Sequence, residues 1–236
     1  MNESRDHTNF DHASKRELIL IRHGQSTANA SGVWQGQLDF PLSKEGRRQA
    51  AAAGQALKGR RISGVYSSPL RRAFETAEIV AREAGFFGEV VPLPGLAERH
   101  GGILQGHTWA EQEARNPEFA EKFLALSEEE RWTLAGAETD EEILARFEQA
   151  LSEVRSRHSA DDSATIVVSH GGVMRAFLRD RFGPSVLPGD ERAPNASVTR
   201  LLYDPAAPDT APQLLELASV SHLTREEARQ ARTRAE

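Results

Sequence analysis

Residues 18–29 read Leu18-Ile19-Leu20-Ile21-Arg22-His23-Gly24-Gln25-Ser26-Thr27-Ala28-Asn29. The run at 18–21 is short, apolar and rich in β-branched residues, the composition of a strand buried on both faces of a parallel sheet. It stops abruptly at Arg22-His23-Gly24. A cation and an imidazole stand where the strand ends, followed by the residue that best permits a sharp turn. In open α/β sheets ligands bind just outside the carboxyl ends of the strands. Arg22 and His23 are therefore expected on a ligand-binding edge. Ser26, Thr27 and Asn29 add side-chain hydrogen-bond donors, and the set suits a phosphate.

An isolated Arg-His-Gly also reads as a strand whose last residues happen to be polar. A second stretch changes that balance. Residues 164–172 read Ala-Thr-Ile-Val-Val-Ser-His-Gly-Gly, again a buried-strand run ending in His-Gly. Two strand-end histidines of one design point to one shared site. With both on the page, the chain resembles the histidine phosphatase superfamily, also called the phosphoglycerate mutase-like family. Residues 18–29 are similar to its signature, and Ser169-His170-Gly171 to its second histidine motif. The resemblance covers roughly residues 17–222. It implies an α/β fold, a three-layer α/β/α sandwich with a mostly parallel central sheet.

The chain has 236 residues, enough for one substantial α/β domain or two small ones. Hydrophobic residues make up 39% and charged residues 27%, which fits a packed core. The formal net charge of −6 argues against a general nucleic-acid partner. There is no cysteine, so disulfide and thiolate chemistry are out of reach. No apolar run is long enough to span a membrane. Residues 1–15 are polar and read as a tail, not a secretory signal. The expected organisation is a tail at 1–16, a catalytic domain at 17–222 and a charged tail at 223–236. A cytoplasmic location is expected, and a homodimer is compatible with the sequence.

Taken in order, residues 30–42 read as a loop. Trp34-Gln35-Gly36 resembles the family's substrate-facing loop, while Trp34 equally suits a buried anchor. Ser43 caps a helix to about Lys58. Ile62–Ser67 is a second strand, and Ser68-Pro69-Leu70-Arg71-Arg72-Ala73 leads into a helix to about Ala84. Arginine makes forked bonds to phosphate; the residues alone do not choose between Arg71 and Arg72. The family's Ser-x-Leu-x-Arg-Ala pattern selects Arg72.

Residues 90–94 read as a third strand. Glu98, Arg99 and His100 then lie in a glycine-rich loop, as an acid–base group or an exposed polar loop. The resemblance puts Glu98 at the general-acid position. Residues 116–133 read as a helix with Phe119, Phe123, Leu124 and Leu126 on its apolar side. They form a cap insertion (110–133) over the mouth. Asp140–Arg157 is a long helix. A helix from Val173 follows the second histidine, and Gly171 and Gly172 leave N–H groups open for an anion. Residues 195–203 and 214–218 form a final hairpin.

The resemblance implies that His23 attacks phosphorus, a role open to a neutral imidazole. Arg22, Arg72 and His170 would hold the phosphoryl oxygens, helped by Asn29, Gln35, Gly36 and the Gly171 backbone. Glu98 would protonate the leaving group, and Arg99, His100 and Trp109 would select the substrate. No cofactor or metal is required. The expected activity is metal-independent hydrolysis of a small phosphorylated metabolite through phosphohistidine, as in a histidine acid-type phosphatase. A zinc site from His23, Glu98, His100 and His170 and a phosphopeptide-binding or phosphoprotein phosphatase module are weaker readings. A cofactor-dependent phosphoglycerate mutase is the nearer alternative. Gly101, Trp109 and Gly172 depart from the mutase pattern, where tyrosine, lysine and asparagine stand.

Overall fold

The computed structural model describes residues 15–158, 163–189, 191–205, 207 and 210–232. Six strands form one sheet, in the order β3-β2-β4-β1-β5-β6. They are β1 (Arg16–Arg22), β2 (Ile62–Ser67), β3 (Val90–Pro92), β4 (Ala164–Ser169), β5 (Val198–Tyr203) and β6 (Gln213–Ser219). The first four run parallel. β5 pairs antiparallel with both β1 and β6. β1 is thus buried on both faces as expected, but one of its neighbours is antiparallel.

Strand alternation divides the core into two layers. Ile19 and Ile21 face α2 (Lys44–Ala56) and α3 (Arg71–Ala84), packing with Ala50, Ala53, Ala77 and Val80. Leu18 and Leu20 face the opposite way. They join a cluster with Ile143, Phe147 and Leu151 of α7 (Asp140–Arg157) and Met174 and Phe177 of α8 (Gly171–Phe182). Helices on both faces of a mostly parallel sheet make the three-layer α/β/α sandwich.

Several local readings change. A short helix α1 (Thr27–Ser31), capped by Ser26 and closed by left-handed Gly32, takes in the first two residues of the segment read as a loop. The cap is three helices: α4 (Trp109–Arg115), α5 (Pro117–Ala125) and α6 (Glu128–Ala135). Asn116-Pro117 and Ser127 supply the breaks, because proline and a capping serine each start a new helix. Phe119 and Phe123 are buried together with Trp132, but Leu124 is 58% exposed. It follows Phe123 by one residue and so points about 100° away from that face. β3 is shorter than expected, α8 begins two residues earlier at Gly171, and β5 begins only at Val198.

The expected tail at 1–16 lies outside the described residues up to position 14, and β1 already begins at Arg16. Within 223–236 the structure forms α9 (Arg225–Ala231), whose last residue is fully buried. Among the described residues no helix is long and apolar enough to cross a membrane.

Candidate active site

The site lies at the carboxyl edge of the parallel strands. β1 and β4 are neighbours in register, with Arg22 opposite Ser169. The residue after each is therefore a histidine on the same edge. The rings of His23 and His170 stand 5.0 Å apart between centroids, tilted by 60°. Both are fully buried. The next strand over, β2, ends in Ser67; Ser68 and then Arg72, in the first turn of α3, reach the same edge. The segment after β3 delivers Glu98.

Each histidine is held differently. His23 Nδ1 lies 2.7 Å from the carbonyl of Gly24. A carbonyl only accepts, so Nδ1 carries the ring proton and the lone pair of the neutral ring sits on Nε2. The His23 backbone is bonded to Ser169 O at 2.9 Å. Gly24 does not have a positive φ. Glycine is needed there because a Cβ would drive into the carbonyl of Gly46 at the start of α2. The reason for this glycine is a close backbone approach; the sharp turn expected from the sequence does not need a left-handed conformation here.

His170 caps α8, and its Nε2 sits 2.7 Å from the Ser68 hydroxyl. Its pKa lies well below the ordinary value of 6.5: burial penalises the cation, and Arg72, His23, Arg22 and Arg146 add repulsion. His170 is neutral at neutral pH.

The arginines are aimed by backbone carbonyls. Arg72 is fully buried and donates to Leu38 O (2.8 Å) and Gly36 O (2.7 Å), whereas Arg71 is exposed. Arg22 donates to Ala193 O at 2.6 Å. A side chain on Gly171 would come within 3.0 Å of the Arg22 guanidinium, so this glycine leaves the cation its room. Asn29 Oδ1 accepts from the Ser26 N–H at 3.1 Å, while the Ser26 hydroxyl lies 2.7 Å from Gln35 Oε1. Gly36 has φ +49°, and a Cβ there would collide with the Gln105 side chain.

Of the Gly171 and Gly172 N–H groups expected to be open for an anion, Glu98 takes that of Gly172, together with the next one along α8. Its Oε1 accepts from Arg99 N (2.8 Å) and Val173 N (3.0 Å), and its Oε2 from Gly172 N (2.9 Å). The amino end of α8 is thus occupied by a carboxylate of the protein itself, as the helix dipole favours. The loop carrying Glu98 is clamped by Arg146 of α7, which donates to the carbonyls of Gly95, Ala97 and Glu98. Arg146 also pairs with Glu138 at 2.9 Å. Burial works against ionisation of Glu138, but the bonds from Arg146 and the His100 N–H and the charges of Arg146 and Arg99 hold its pKa below the ordinary value.

A pocket opens beside Glu98. Trp34, Gly36, Arg99, Gly101, Trp132, Gly172 and Arg192 line it with Glu98. Arg99 stacks over Trp132 at 4.5 Å and bonds to Asp140 and the Glu138 carbonyl. His100 and Trp109 stand outside this lining. His100 is exposed and bonded to Gln105, and Trp109 packs on Phe123. His100 therefore does not join His23, His170 and Glu98, and the four ligands of the zinc reading are not assembled. Ser68, Arg146, Arg192 and Asn195 were not singled out as site residues from sequence. Ser68 opens the Ser-x-Leu-x-Arg-Ala pattern that selects Arg72, and Asn195 was placed only at the start of the final hairpin.

Residues 18–211 match the histidine phosphatase superfamily (branch 1). The chain is 39% identical over 165 residues to a metal-independent phosphoserine phosphatase of Arabidopsis thaliana, covering 69% of this chain and 68% of that protein. It is 38% identical over 187 residues to phosphoglycerate mutase-like protein 4 of the same plant, covering 78% of each. The solved structure of a mycobacterial glucosyl-3-phosphoglycerate phosphatase superposes with a TM-score of 0.72 at 29% identity, over 87% of this chain and 99% of that one.

Proposed function

The chain belongs to the histidine phosphatase superfamily, branch 1, and on that premise we propose that it hydrolyses a small phosphorylated metabolite through a phosphohistidine. The observation that carries this reading is the pairing of two buried strand-end histidines with buried Arg22 and Arg72 and with Glu98 on one edge. His23 Nε2 attacks phosphorus while the ester P–O bond breaks. The electron pair leaves with the alkoxide oxygen, which takes a proton from Glu98. Glu98 Oε2 is the oxygen to hold that proton, since it accepts one N–H where Oε1 accepts two. Water then attacks phosphorus, the P–N bond breaks and Glu98 recovers a proton from the water. Inorganic phosphate leaves, and His23 is restored.

Arg22 and Arg72 carry the positive charge of the phosphoryl pocket. Neutral His170 accepts the Ser68 O–H at Nε2 and offers Nδ1–H to a phosphoryl oxygen. Preorganised donors of this kind supply the largest share of many rate enhancements. Asn29 and the Gln35-Gly36 turn complete the rim.

The leaving group occupies the pocket beside Glu98. Arg99 and Arg192 in its lining favour an anionic group, and Trp34 and Trp132 favour a compact apolar or sugar face. The esters in the relatives' names, phosphoserine and glucosyl-3-phosphoglycerate, both carry a carboxylate near the phosphate. A phosphorylated hydroxy or amino acid is the substrate class that fits.

The test is phosphate release in EDTA from matched esters: phosphoserine against phosphoethanolamine, and 3-phosphoglycerate against glycerol 3-phosphate. Carboxylated esters should turn over faster, and Arg192→Ala should narrow the gap by raising KM. Isomerisation of 3-phosphoglycerate without phosphate release would make the protein a mutase. Failure of every ester would remove the hydrolytic reading. Glu98→Gln should depress alkyl ester hydrolysis by about 10²–10⁴-fold; with p-nitrophenyl phosphate, whose leaving group needs no proton, it should keep the first burst of p-nitrophenolate and slow only the later turnover, which needs the base for water.

A further inference from the structure

The connection between α8 and β5 does more than join them. Between residues 193 and 197 it touches Arg22, His23 and Asn29 in turn. The Ala193 carbonyl receives the Arg22 guanidinium, and the Ser197 carbonyl receives the Arg22 backbone N–H at 3.1 Å. Ala196 donates its N–H to the His23 carbonyl at 3.1 Å from a left-handed conformation, φ +56°. Alanine rarely adopts that conformation, and non-glycine residues held there cluster at functional sites.

Asn195 is fully buried at the centre of this turn. Its Nδ2 donates to the His23 carbonyl at 3.1 Å and to Asn29 Oδ1 at 3.3 Å. Asn29 Oδ1 also receives the N–H and the hydroxyl of Ser26, both at 3.1 Å. The one Ser26 hydroxyl proton is also within reach of Gln35 Oε1 at 2.7 Å, but the Ser26 N–H and the Asn195 NH2 are obligatory donors, so the carboxamide oxygen facing them cannot be exchanged for its NH2 end. The Asn29 amide is therefore locked with its oxygen toward Ser26 and Asn195 and its NH2 turned the other way. Asn195 is itself held from behind, where its backbone N–H reaches the carbonyl of Ala231 at the end of α9, 2.9 Å away.

We propose that Asn195 is a positioning residue, which fixes the nucleophile's backbone and orients Asn29 so that its NH2 serves the phosphoryl group. The inference rests on the reading of the site given above. Asn195 Oδ1 accepts no hydrogen bond from the described residues. What separates asparagine here from an isosteric carboxylate is its donor pair. α9 takes part through its last carbonyl, so a segment read from sequence as a charged tail backs the nucleophile.

The experiment is a double-mutant cycle on Asn29→Ala and Asn195→Ala, read as kcat and KM for the best ester and as the Kd for inorganic phosphate. Asn195→Ala should lower kcat by up to about 10²-fold, the scale of a slight misplacement of reacting groups, with a smaller change in KM. Its effect should shrink at least severalfold in the Asn29→Ala background. Asn195→Asp keeps the shape and loses the donors. Its activity relative to the parent should rise as pH falls, when protonation returns one O–H donor.

Additive effects in the cycle, or a constant Asn195→Asp ratio across pH, would overturn the proposal. Should Asn195→Ala fail to fold by circular dichroism, the pH ratio of Asn195→Asp decides alone. A parent protein that releases phosphate from no ester and binds none would instead sink the phosphatase reading, and the positioning role with it. Turnover in the parent with an additive cycle would sink the positioning role alone.

Discussion

The ends of β1 and β4 carry the same sequence device, an apolar strand running into His-Gly, yet the two histidines are held by opposite means. The ring proton of His23 is fixed by main chain. The residue's Nδ1 meets the carbonyl of its own neighbour, its carbonyl receives Ala196 and Asn195, and Gly24 is pressed against Gly46. Carbonyls cannot change role, so the tautomer of His23 cannot either. His170 leans on a hydroxyl, which donates or accepts as needed. The Ser68 oxygen already accepts the Leu70 N–H at 3.2 Å, which favours Ser68 as donor to His170 without enforcing it. A rigid partner suits an atom that must attack along one line. An adaptable partner suits one that must follow phosphoryl oxygens through a changing geometry.

The sharpest break in this comparison is His23→Ala. It should reduce ester hydrolysis by at least about 10⁴-fold and abolish acid-labile phosphoenzyme after rapid quench, as loss of a nucleophile does. His170→Gln should cost about 10²–10³-fold in kcat, the range for one preorganised donor, and should still form phosphoenzyme. Equal losses in the two variants, or phosphoenzyme surviving in His23→Ala, would erase the division of labour. Ser68→Ala should fall within about tenfold of the parent, because a neutral hydrogen bond contributes only about 0.5–1.5 kcal/mol.

The smallest effect is on stability. His170 has a folded pKa below its unfolded value of 6.5, so the unfolded chain binds more protons as acid is added. Stability should therefore be fully present above about pH 6.5 and fall as pH drops below it toward the folded pKa. His170→Gln should flatten that loss in thermal melts between pH 5 and 7.5. Some slope should remain, since half-buried His222 is shifted in the same direction, chiefly by desolvation. A steeper acid loss in the variant would contradict the sign.

Much of the edge was readable because its residues follow strands directly. β-branched runs ending in polar residues mark strand ends, and strand ends in parallel sheets share an edge. Arg72 required the family pattern, because Arg71 and Arg72 differ only in which way the first turn of α3 points them. Arg146 was not readable. It recognises three carbonyls some fifty residues away in sequence, and carbonyls leave no trace in a sequence. Asn195 bonds to His23 and Asn29 across more than 160 residues, and it and Arg192 come from a segment without periodicity. The antiparallel placement of β5 beside β1 is likewise a matter of topology, which local pattern does not encode. The helix start at Asn116-Pro117 was legible, and the break at Ser127 carried a local signal too, with Glu130 three residues on, but the apolar residues on either side of it look like one continuous stripe.

Gly172 donates its N–H to Glu98, and a Cβ on it would lie 2.6 Å from Oε1 of the same carboxylate. Position 172 therefore tolerates hydrogen and nothing larger while the acid keeps its place. Seen as an engineering handle, it is a dial on the reach of the proton donor. Any atom grafted there has to displace the carboxylate from the amino end of α8. A graded series of small side chains at this one position would retune leaving-group preference while the phosphoryl pocket stays untouched.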